Sequence, residues 1–326
     1  MNKFMFLKPG DEIRVIAPAR SLKLIGEPNT NLAIKKLESM GFKVTFGKNV
    51  YEVHNRFSAT IKQRVEDFHE AFLDKNVKAI LTVIGGFNSN QLLPYIDWEI
   101  VKNNPKIFCG FSDITALHLA ILKHTNVPVF YGPHFSSFAM IKNSEYIETQ
   151  FKNMFCNEDK TVNLEASKLW SDDLWFIDQD NRQLENNSGW WNIQNGEARG
   201  KIIGGNLSTL MLLKGTDNFP DINEDSILAI EAVPSYDYDN FERMLVSLIQ
   251  SPWFKHIKAL MIGRFCLGSK ISKEDLITML SEKEELKNMP IVANIDFGHS
   301  MPLCVLPLGL ESELKINNNS EIKIFK

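Results

Sequence analysis

A serine in the first half of the chain has neighbours that suit nucleophilic chemistry. Ser112 follows an apolar segment that ends at Gly110, and Asp113 comes directly after it. A serine at a sharp turn between a strand and a helix has its hydroxyl pushed out of the sheet, as in a nucleophile elbow. The N–H groups at the start of the helix could then bind the oxyanion of a tetrahedral intermediate. The match is partial, because Asp113-Ile114 stands where the elbow motif has a variable residue and a glycine, and the alternative is that Ser112 only caps the helix.

A glycine pair lies at a second turn of the same kind. Gly85-Gly86 follows the apolar segment 79–84 and precedes a helical segment. Its backbone can approach a ligand closely, and its N–H groups could supply a second oxyanion donor. A phosphate-binding turn is one alternative, although the sequence has neither a G-x-G-x-x-G motif nor a P-loop lysine there. An ordinary tight turn is the other.

A serine nucleophile needs a base, and the base needs an acid that orients it. Among seven histidines we favour His299, which lies in a loop after the apolar segment 291–293, and His134 is a weaker candidate. Glu231 ends the apolar segment 227–230, where a buried carboxylate must find a partner. The alternatives are a surface loop histidine and a strand-end acid that faces water.

These candidates follow the chain order serine, acid, histidine, which is also the order in α/β-hydrolases. Ser112 lies in the first half of the chain, whereas Glu231 and His299 lie in the second. We therefore expect the triad to form only where two domains meet.

The elements that must position these residues alternate between strands and helices in residues 1–140. Apolar strand segments at 13–17, 79–84 and 106–109 are separated by helical patterns, and Thr60 with Gln63 resembles a capping box. This alternation predicts an α/β fold with a doubly wound, mostly parallel sheet.

The rest of the chain has a different pattern. Residues 141–200 are polar and hold four of the six tryptophans, which indicates a linker with a long substrate loop. Residues 201–326 contain further strand segments and predict a smaller, β-rich α/β domain, with the active site at the domain interface.

Composition excludes several classes of protein. With 326 residues, 44% hydrophobic and 23% charged, the chain suits two globular domains rather than a disordered or fibrous protein. A net charge of −4 gives no electrostatic case for binding nucleic acid or an anionic membrane. No segment reaches the roughly 18 apolar residues of a membrane helix, and no signal peptide is expected. The four cysteines do not have metal-ligand spacing and are typical of free thiols in a reducing cytoplasm.

The chain as a whole resembles the LD-carboxypeptidase family of serine peptidases, and within it the branch of microcin C immunity peptidases. The resemblance is carried by separated motifs in a fixed order: Lys8-Pro9-Gly10-Asp11, Ala17-Pro18-Ala19, Gly85-Gly86, Gly110-Phe111-Ser112-Asp113, Gly204-Gly205-Asn206-Leu207, Ile230-Glu231, Gly263-Arg264-Phe265 and Phe297-Gly298-His299.

This resemblance implies a role for each candidate. Ser112 matches the nucleophile, Glu231 the acid and His299 the base, and the backbone N–H groups of Gly86 and Asp113 match the oxyanion donors. It also implies a cytoplasmic homodimer that uses no metal and no cofactor.

The two branches of the family differ in substrate. LD-carboxypeptidases remove the terminal D-alanine of a murein tetrapeptide, whereas immunity peptidases cleave the amide or phosphoramidate link between an aminoacyl group and a nucleotide. The tryptophan-rich segment resembles the immunity branch, and Trp175 and Trp190 are the candidates for stacking on a purine. The alternative is that these rings only fix the loop to the protein. We therefore expect a small peptide or a peptidyl-nucleotide as substrate. A non-catalytic two-lobed binding protein and a nucleotide-binding oxidoreductase are the alternatives from other classes.

Overall fold

The computed structural model describes residues 4–326. Its strands are β1 (Glu12–Ile16), β2 (Lys43–Phe46), β3 (Val77–Thr82), β4 (Ile107–Gly110), β5 (Val129–Tyr131), β6 (Thr161–Asn163), β7 (Leu169–Trp170), β8 (Glu185–Asn186), β9 (Trp191–Gln194), β10 (Gly196–Asn206), β11 (Ser226–Glu231), β12 (Ile257–Gly263), β13 (Ile291–Ile295), β14 (Leu306–Leu308), β15 (Glu311–Ile316) and β16 (Glu321–Phe325). Its α-helices are α1 (Glu27–Ser39), α2 (Ile61–Leu73), α3 (Trp98–Asn103), α4 (Thr115–Thr125), α5 (Glu145–Phe155), α6 (Leu207–Leu213), α7 (Tyr238–Ile249) and α8 (Lys273–Ser281).

The first sheet confirms the predicted α/β architecture. Its six strands lie in the order β14–β5–β4–β3–β1–β2, and β1 to β5 pair in parallel. The order β2–β1–β3–β4–β5 is that of a doubly wound sheet, whose ligand crevice lies outside the carboxyl ends of the strands. The turns that carry Gly85-Gly86 and Ser112 both lie at that edge, after β3 and β4.

The second sheet has eight strands in the order β6–β16–β15–β10–β11–β12–β13–β9. Strands β10 to β13 pair in parallel, and the strands at both ends pair antiparallel. The second sheet has more strands than the first, whereas the sequence predicted that the C-terminal domain would have the smaller sheet. Among the antiparallel strands, β15 and β16 alternate buried residues with more exposed ones, and β9 has four half-buried residues, so these strands lack the apolar runs that marked the others.

The predicted division at residues 140 and 200 does not follow the two sheets. Residues 141–200 form α5 and supply β6 and β9, which are the two edge strands of the second sheet. The second half returns a strand to the first sheet, because β14 pairs antiparallel with β5. The second half of the chain therefore completes one edge of the first sheet.

Helix α4 connects the serine turn to that interface. It begins at Thr115, whose hydroxyl oxygen accepts the backbone N–H of Asn206 at 2.9 Å. Gly205 makes this approach possible, because a Cβ there would lie 2.7 Å from the Thr115 hydroxyl. The end of β10 is thus held against the start of α4. Within residues 4–326, no helix has both the length and the apolar character needed to cross a bilayer.

Candidate active site

Ser112 lies at a strained turn between β4 and α4. Its φ is +62°, in the left-handed region that residues other than glycine rarely adopt. Gly110 permits the turn, since a Cβ there would lie 2.2 Å from the Thr82 hydroxyl. The residue in the N-cap position of the short 3-10 turn is Phe111, and the Ser112 hydroxyl instead lies 3.0 Å from His299 Nε2. The helix-cap alternative is therefore not what the structure shows.

His299 and Glu231 complete a chain of hydrogen bonds that begins at Ser112. His299 Nδ1 lies 2.8 Å from Glu231 Oε2, and Glu231 is fully buried at the end of β11. Gly298, with a φ of +115°, allows the carboxylate to approach the histidine loop, because a Cβ there would lie 2.7 Å from Oε2. The serine comes from the first sheet and the other two residues from the second. The three side chains lie in series at the distances that a nucleophile, a base and an orienting acid require.

The second oxygen of Glu231 binds two residues that the sequence did not single out as functional. The Tyr131 hydroxyl donates to Oε1 at 2.6 Å, and Asn206 Nδ2 donates to the same oxygen at 2.7 Å. Tyr131 also accepts the backbone N–H of Ser112 at 3.0 Å. The carboxylate is thus fixed from three sides, and the phenol links it directly to the serine turn.

These contacts keep Glu231 charged. Burial by itself would raise its pKa, but the adjacent His299 and the hydrogen bonds from His299, Tyr131 and Asn206 hold the pKa below its usual value. Burial and the Glu231 charge raise the pKa of Tyr131 well above 10, so the phenol stays a donor. An ionised Glu231 favours the tautomer of His299 with its proton on Nδ1, which leaves Nε2 free to accept the proton of Ser112.

The predicted oxyanion donors lie beside the serine. The Asp113 carboxylate accepts the backbone N–H groups of Asn88 and Ser89 at 3.0 and 2.9 Å, and this ties the glycine turn to the serine turn. A Cβ on Gly85 would lie 3.2 Å from the Ser112 hydroxyl. The N–H groups of Gly86 and Asp113 donate to no other residue in the part of the chain that the structure describes. Their role as oxyanion donors stays a prediction.

A cavity of about 330 Å³ opens over Ser112 and His299. Trp175 forms part of its wall and is only 7% exposed, whereas Trp190 does not line this cavity and packs partly buried against the core. The loop that carries Trp175 is anchored to the rest of the protein at Ser171, which exchanges two 2.7 Å backbone hydrogen bonds with Met301 in the histidine loop. The predicted stacking role is compatible with the position of Trp175 and has no such support at Trp190.

His134 also reaches this cavity but does not contact the serine hydroxyl. Its Nδ1 lies 2.7 Å from the Thr82 hydroxyl, and Nε2 has no partner among the described residues. Burial lowers the pKa of His134 well below 6.5, so the ring is neutral. The structure therefore places His299, and not His134, in the position of the base. Among residues 4–326, no three histidine, cysteine, aspartate or glutamate side chains form a cluster that could hold a metal ion.

Comparison with known protein families gives two matches. The LD-carboxypeptidase N-terminal domain matches residues 13–132, and the LD-carboxypeptidase C-terminal domain matches residues 199–314. The matched regions contain Ser112 and its turn in the first domain, and Glu231 and His299 in the second.

Relatives cover nearly the whole chain. YocD of Bacillus subtilis (strain 168), provisionally named as a carboxypeptidase, is 46% identical over 98% of both chains. The microcin C7 self-immunity protein MccF of Escherichia coli is 28% identical over 96% of this chain and 93% of its own. The murein tetrapeptide carboxypeptidase of Pseudomonas aeruginosa is also 28% identical, over 94% of this chain and 93% of its own.

Solved structures agree with this grouping. The crystal structure of an MccF-like protein from Bacillus anthracis str. Ames has a TM-score of 0.95 and 44% identity, over 99% of this chain and 98% of that one. MccF in complex with glutamyl sulfamoyl guanosine has a TM-score of 0.88 and 27% identity, over 99% of this chain and 98% of that one.

Proposed function

The chain belongs to the LD-carboxypeptidase family of serine peptidases, and we propose that it acts in the manner of the microcin C immunity branch. Its reaction is the hydrolysis of the amide or phosphoramidate link of an aminoacyl- or peptidyl-nucleotide. The observation that carries the proposal is the hydrogen-bonded series from Ser112 through His299 to Glu231, with distances of 3.0 and 2.8 Å, under a cavity walled by Trp175. The family consists of hydrolases, so we do not pursue the two alternatives from other classes, a non-catalytic binding protein and an oxidoreductase.

The proposed mechanism assigns one step to each residue. His299 Nε2 takes the proton of Ser112 as the serine oxygen attacks the scissile carbonyl carbon. Glu231 holds the imidazole tautomer and stabilises the imidazolium that forms. The N–H groups of Gly86 and Asp113 bind the oxyanion, and removing one such donor typically lowers the rate by about 10²- to 10³-fold. His299 then gives its proton to the leaving amine, and water hydrolyses the acyl-enzyme.

A preference for nucleotides is supported by the ring on the cavity wall. Trp175 packs edge-on against Phe176 with ring centroids 5.8 Å apart, and Phe176 is 53% exposed at the cavity mouth. An aromatic wall of this kind can stack on any base, because every base has a π face. MccF was solved with aminoacyl sulfamoyl nucleosides bound, which makes this substrate class the first to test.

A second candidate is the removal of terminal D-alanine from a murein tetrapeptide. It is favoured by the relative of that name, which is as similar to this chain as MccF is. A cavity of about 330 Å³ is at the small end for ligand sites and suits the single residue that such an enzyme releases.

A paired hydrolysis assay separates the two candidates. Purified protein is given a murein tetrapeptide and, separately, an aminoacyl-nucleotide with a cleavable amide, with Ser112→Ala as the blank. Cleavage of the nucleotide substrate supports the main proposal, and Trp175→Leu should then raise KM for that substrate. Release of D-alanine alone would replace the main proposal with the second. Turnover by Ser112→Ala equal to that of the unmodified protein would refute the serine mechanism in both cases.

The homodimer and the cytoplasmic location that the family resemblance implies stay predictions. Light scattering on the purified protein checks the first, and fractionation of the producing cells checks the second. A monomer at micromolar concentration with full activity would show that this chain does not need a second copy.

A further inference from the structure

A second depression, which we call the basic groove, adjoins the cavity over Ser112. It has a volume of about 830 Å³ and shares Arg20 and Phe87 with the active-site cavity. Its remaining walls come from the turn at 54–60, the first turns of α2 and the segment 88–91. A ligand can therefore reach from the reacting serine into the groove past two side chains.

The side chains that line the groove carry net positive charge. Arg20, Arg56, Lys62 and Arg64 line it together with His54, whereas no aspartate or glutamate does. None of the four cations forms a salt bridge with a carboxylate of residues 4–326. Of the other arginines, Arg243 forms no salt bridge with the described residues either, whereas four have carboxylate partners at 2.7 to 2.9 Å: Arg14, Arg182, Arg199 and Arg264. Cations of one sign that line a concave wall focus the electrostatic potential and attract anions.

The floor of the groove holds polar atoms that lack partners. Arg64 is 3% exposed, and its guanidinium donates to the Pro18 and Asn88 carbonyls at 2.9 and 3.1 Å and to Gln91 Oε1 at 3.0 Å. Its Nε has no partner among the described residues, and neither has the side-chain oxygen of Asn88. Buried polar groups in native proteins are normally paired, so this unpaired donor and this unpaired acceptor leave unused hydrogen-bonding capacity beneath the groove.

Arg64 has no salt-bridge partner among the described residues. Asp113 is the carboxylate that acts on it electrostatically. That carboxylate accepts the N–H groups of Asn88 and Ser89 and makes no salt bridge with Arg64. The Arg64 guanidinium therefore adds to the positive potential of the groove from below, without an ion pair.

Arg20 connects the groove with the catalytic turn. Its guanidinium lies over the ring of Phe87, 5.2 Å from the centroid, and its Cγ would lie 3.2 Å from a Cβ at Gly86. Arg20 thus packs directly against the turn proposed to bind the oxyanion. Because the active-site cavity is small, the part of a larger substrate that does not react has to extend out of it, and the basic groove is the neighbouring space.

We propose that the basic groove binds an anionic group of the substrate, a carboxylate or a phosphate, that lies away from the scissile bond. This inference rests on the proposed function, because it names the charge of the substrate of that same site. Murein peptides carry carboxylates and nucleotides carry phosphates. The groove is therefore proposed to recognise the negative charge that both substrate classes share. Arginine in such a wall can bind either group with two parallel hydrogen bonds.

The test measures binding in the Ser112→Ala background, where no probe is consumed. Two pairs of probes are titrated by calorimetry: AMP with adenosine, and a murein tetrapeptide with the same peptide after amidation of its carboxyl groups. Each pair is repeated with the additional changes Arg56→Gln and Lys62→Gln, both at exposed side chains, and with Lys35→Gln, an exposed lysine on α1, as the matched control.

We expect the charged member of at least one pair to bind about tenfold more tightly than the neutral member, and the pair that shows this identifies the source of the charge. The double change should reduce this advantage about three- to tenfold without weakening the neutral probe, and Lys35→Gln should not alter it. Raising the salt from about 50 to about 500 mM should have the same effect as the double change, because exposed charges are screened.

Equal affinity for charged and neutral members in both pairs would overturn the proposal, as would an equal loss for both members in the double variant. The proposed function is tested separately by turnover of the unmodified protein. If that protein hydrolyses neither substrate, the catalytic proposal fails, while a charge-dependent affinity that needs Arg56 and Lys62 still establishes the groove.

Discussion

Replacing Glu231 by glutamine changes the charge of the residue that orients His299 but hardly changes its shape. In the structure, Oε1 accepts hydrogen bonds from Tyr131 and Asn206, at 2.6 and 2.7 Å, while Oε2 faces His299 Nδ1. Because Tyr131 and Asn206 both donate to the position of Oε1, the glutamine must place its amide oxygen there. Its NH₂ group must then face His299 Nδ1.

This orientation has a defined consequence for the base. Nδ1 has to accept a hydrogen bond from the amide, so the proton of the neutral ring moves to Nε2, and the histidine can no longer take the proton of Ser112. The equivalent change in a Ser-His-Asp protease lowers kcat about 10⁴-fold for the same reason. We expect a loss of about 10³- to 10⁴-fold here, which corresponds to roughly 4 to 5.5 kcal/mol in activation free energy.

The assay is kcat on whichever substrate the unmodified protein hydrolyses, with Glu38→Gln on the exposed face of α1 as the matched control. Because Tyr131 and Asn206 keep an acceptor, the folded protein should keep its unfolding midpoint in urea. Nitrogen chemical shifts of His299 should report the exchanged tautomer. A kcat within tenfold of the unmodified protein, with the fold intact, would refute the proposed role of Glu231.

Three further changes test other parts of the account. Tyr131→Phe removes the donor to buried Glu231 and the acceptor for the Ser112 N–H, so we expect urea unfolding to show a loss of about 3 kcal/mol, and an unchanged stability would contradict the network. Gly85→Ala places a Cβ 3.0 Å from the Ser112 Cβ, so kcat should fall at least about tenfold while the unfolding midpoint changes little; full activity would show that the serine turn tolerates the contact. His118 is fully buried with both ring nitrogens unpaired, and burial lowers its pKa to about 3. In the unfolded protein His118 gains a proton below pH ~6.5, whereas in the folded protein it does so only near pH 3. The free energy of unfolding therefore decreases as the pH is lowered through this window. Urea titrations at pH 7 and pH 5 should show that His118→Leu removes about 2 kcal/mol of this decrease. An identical pH dependence in both proteins would contradict this.

The positions of the triad residues could be predicted because each follows a buried strand. Ser112 and His299 come after β4 and β13, Glu231 ends β11, and each of these strands contains an apolar run in the sequence. A buried carboxylate at a strand end needs a partner, which favoured Glu231 without excluding an acid that faces water; in the structure Glu231 has His299 at 2.8 Å. Chain order required the two halves to meet if the three residues form a triad, and the family resemblance gave the reason to expect that they do.

Tyr131 and Asn206 were not predicted as site residues, because their role depends on the second oxygen of Glu231. They contact it from 100 and 25 residues away in sequence, and neither has a pattern of its own. The sequence did indicate that a further partner was needed, because a buried carboxylate has two oxygens that require hydrogen bonds and one histidine can serve only one of them. Asn206 follows two glycines in a motif that the family resemblance already quoted, and it is the residue that this count should have selected.

The short edge strands of the two sheets were not predicted, for a different reason. Strand β9 has four residues and β14 has three, and both pair antiparallel at a sheet edge. Strands this short carry no measurable periodicity, and their partners lie far away in sequence. A tryptophan-rich polar segment therefore indicated a linker, although part of it completes the second sheet.

The central claim is that His299 and Glu231, from the second half of the chain, activate Ser112 in the first. Labelling with a fluorophosphonate, followed by mass spectrometry of the intact protein and its peptides, tests this without knowledge of the substrate. We predict one adduct per chain, on Ser112, with a rate that falls at least about 10³-fold in His299→Ala and in Glu231→Gln. An adduct on Ser136 or Ser137, which line the same cavity, or labelling of Ser112 at an unchanged rate in both variants, would contradict it.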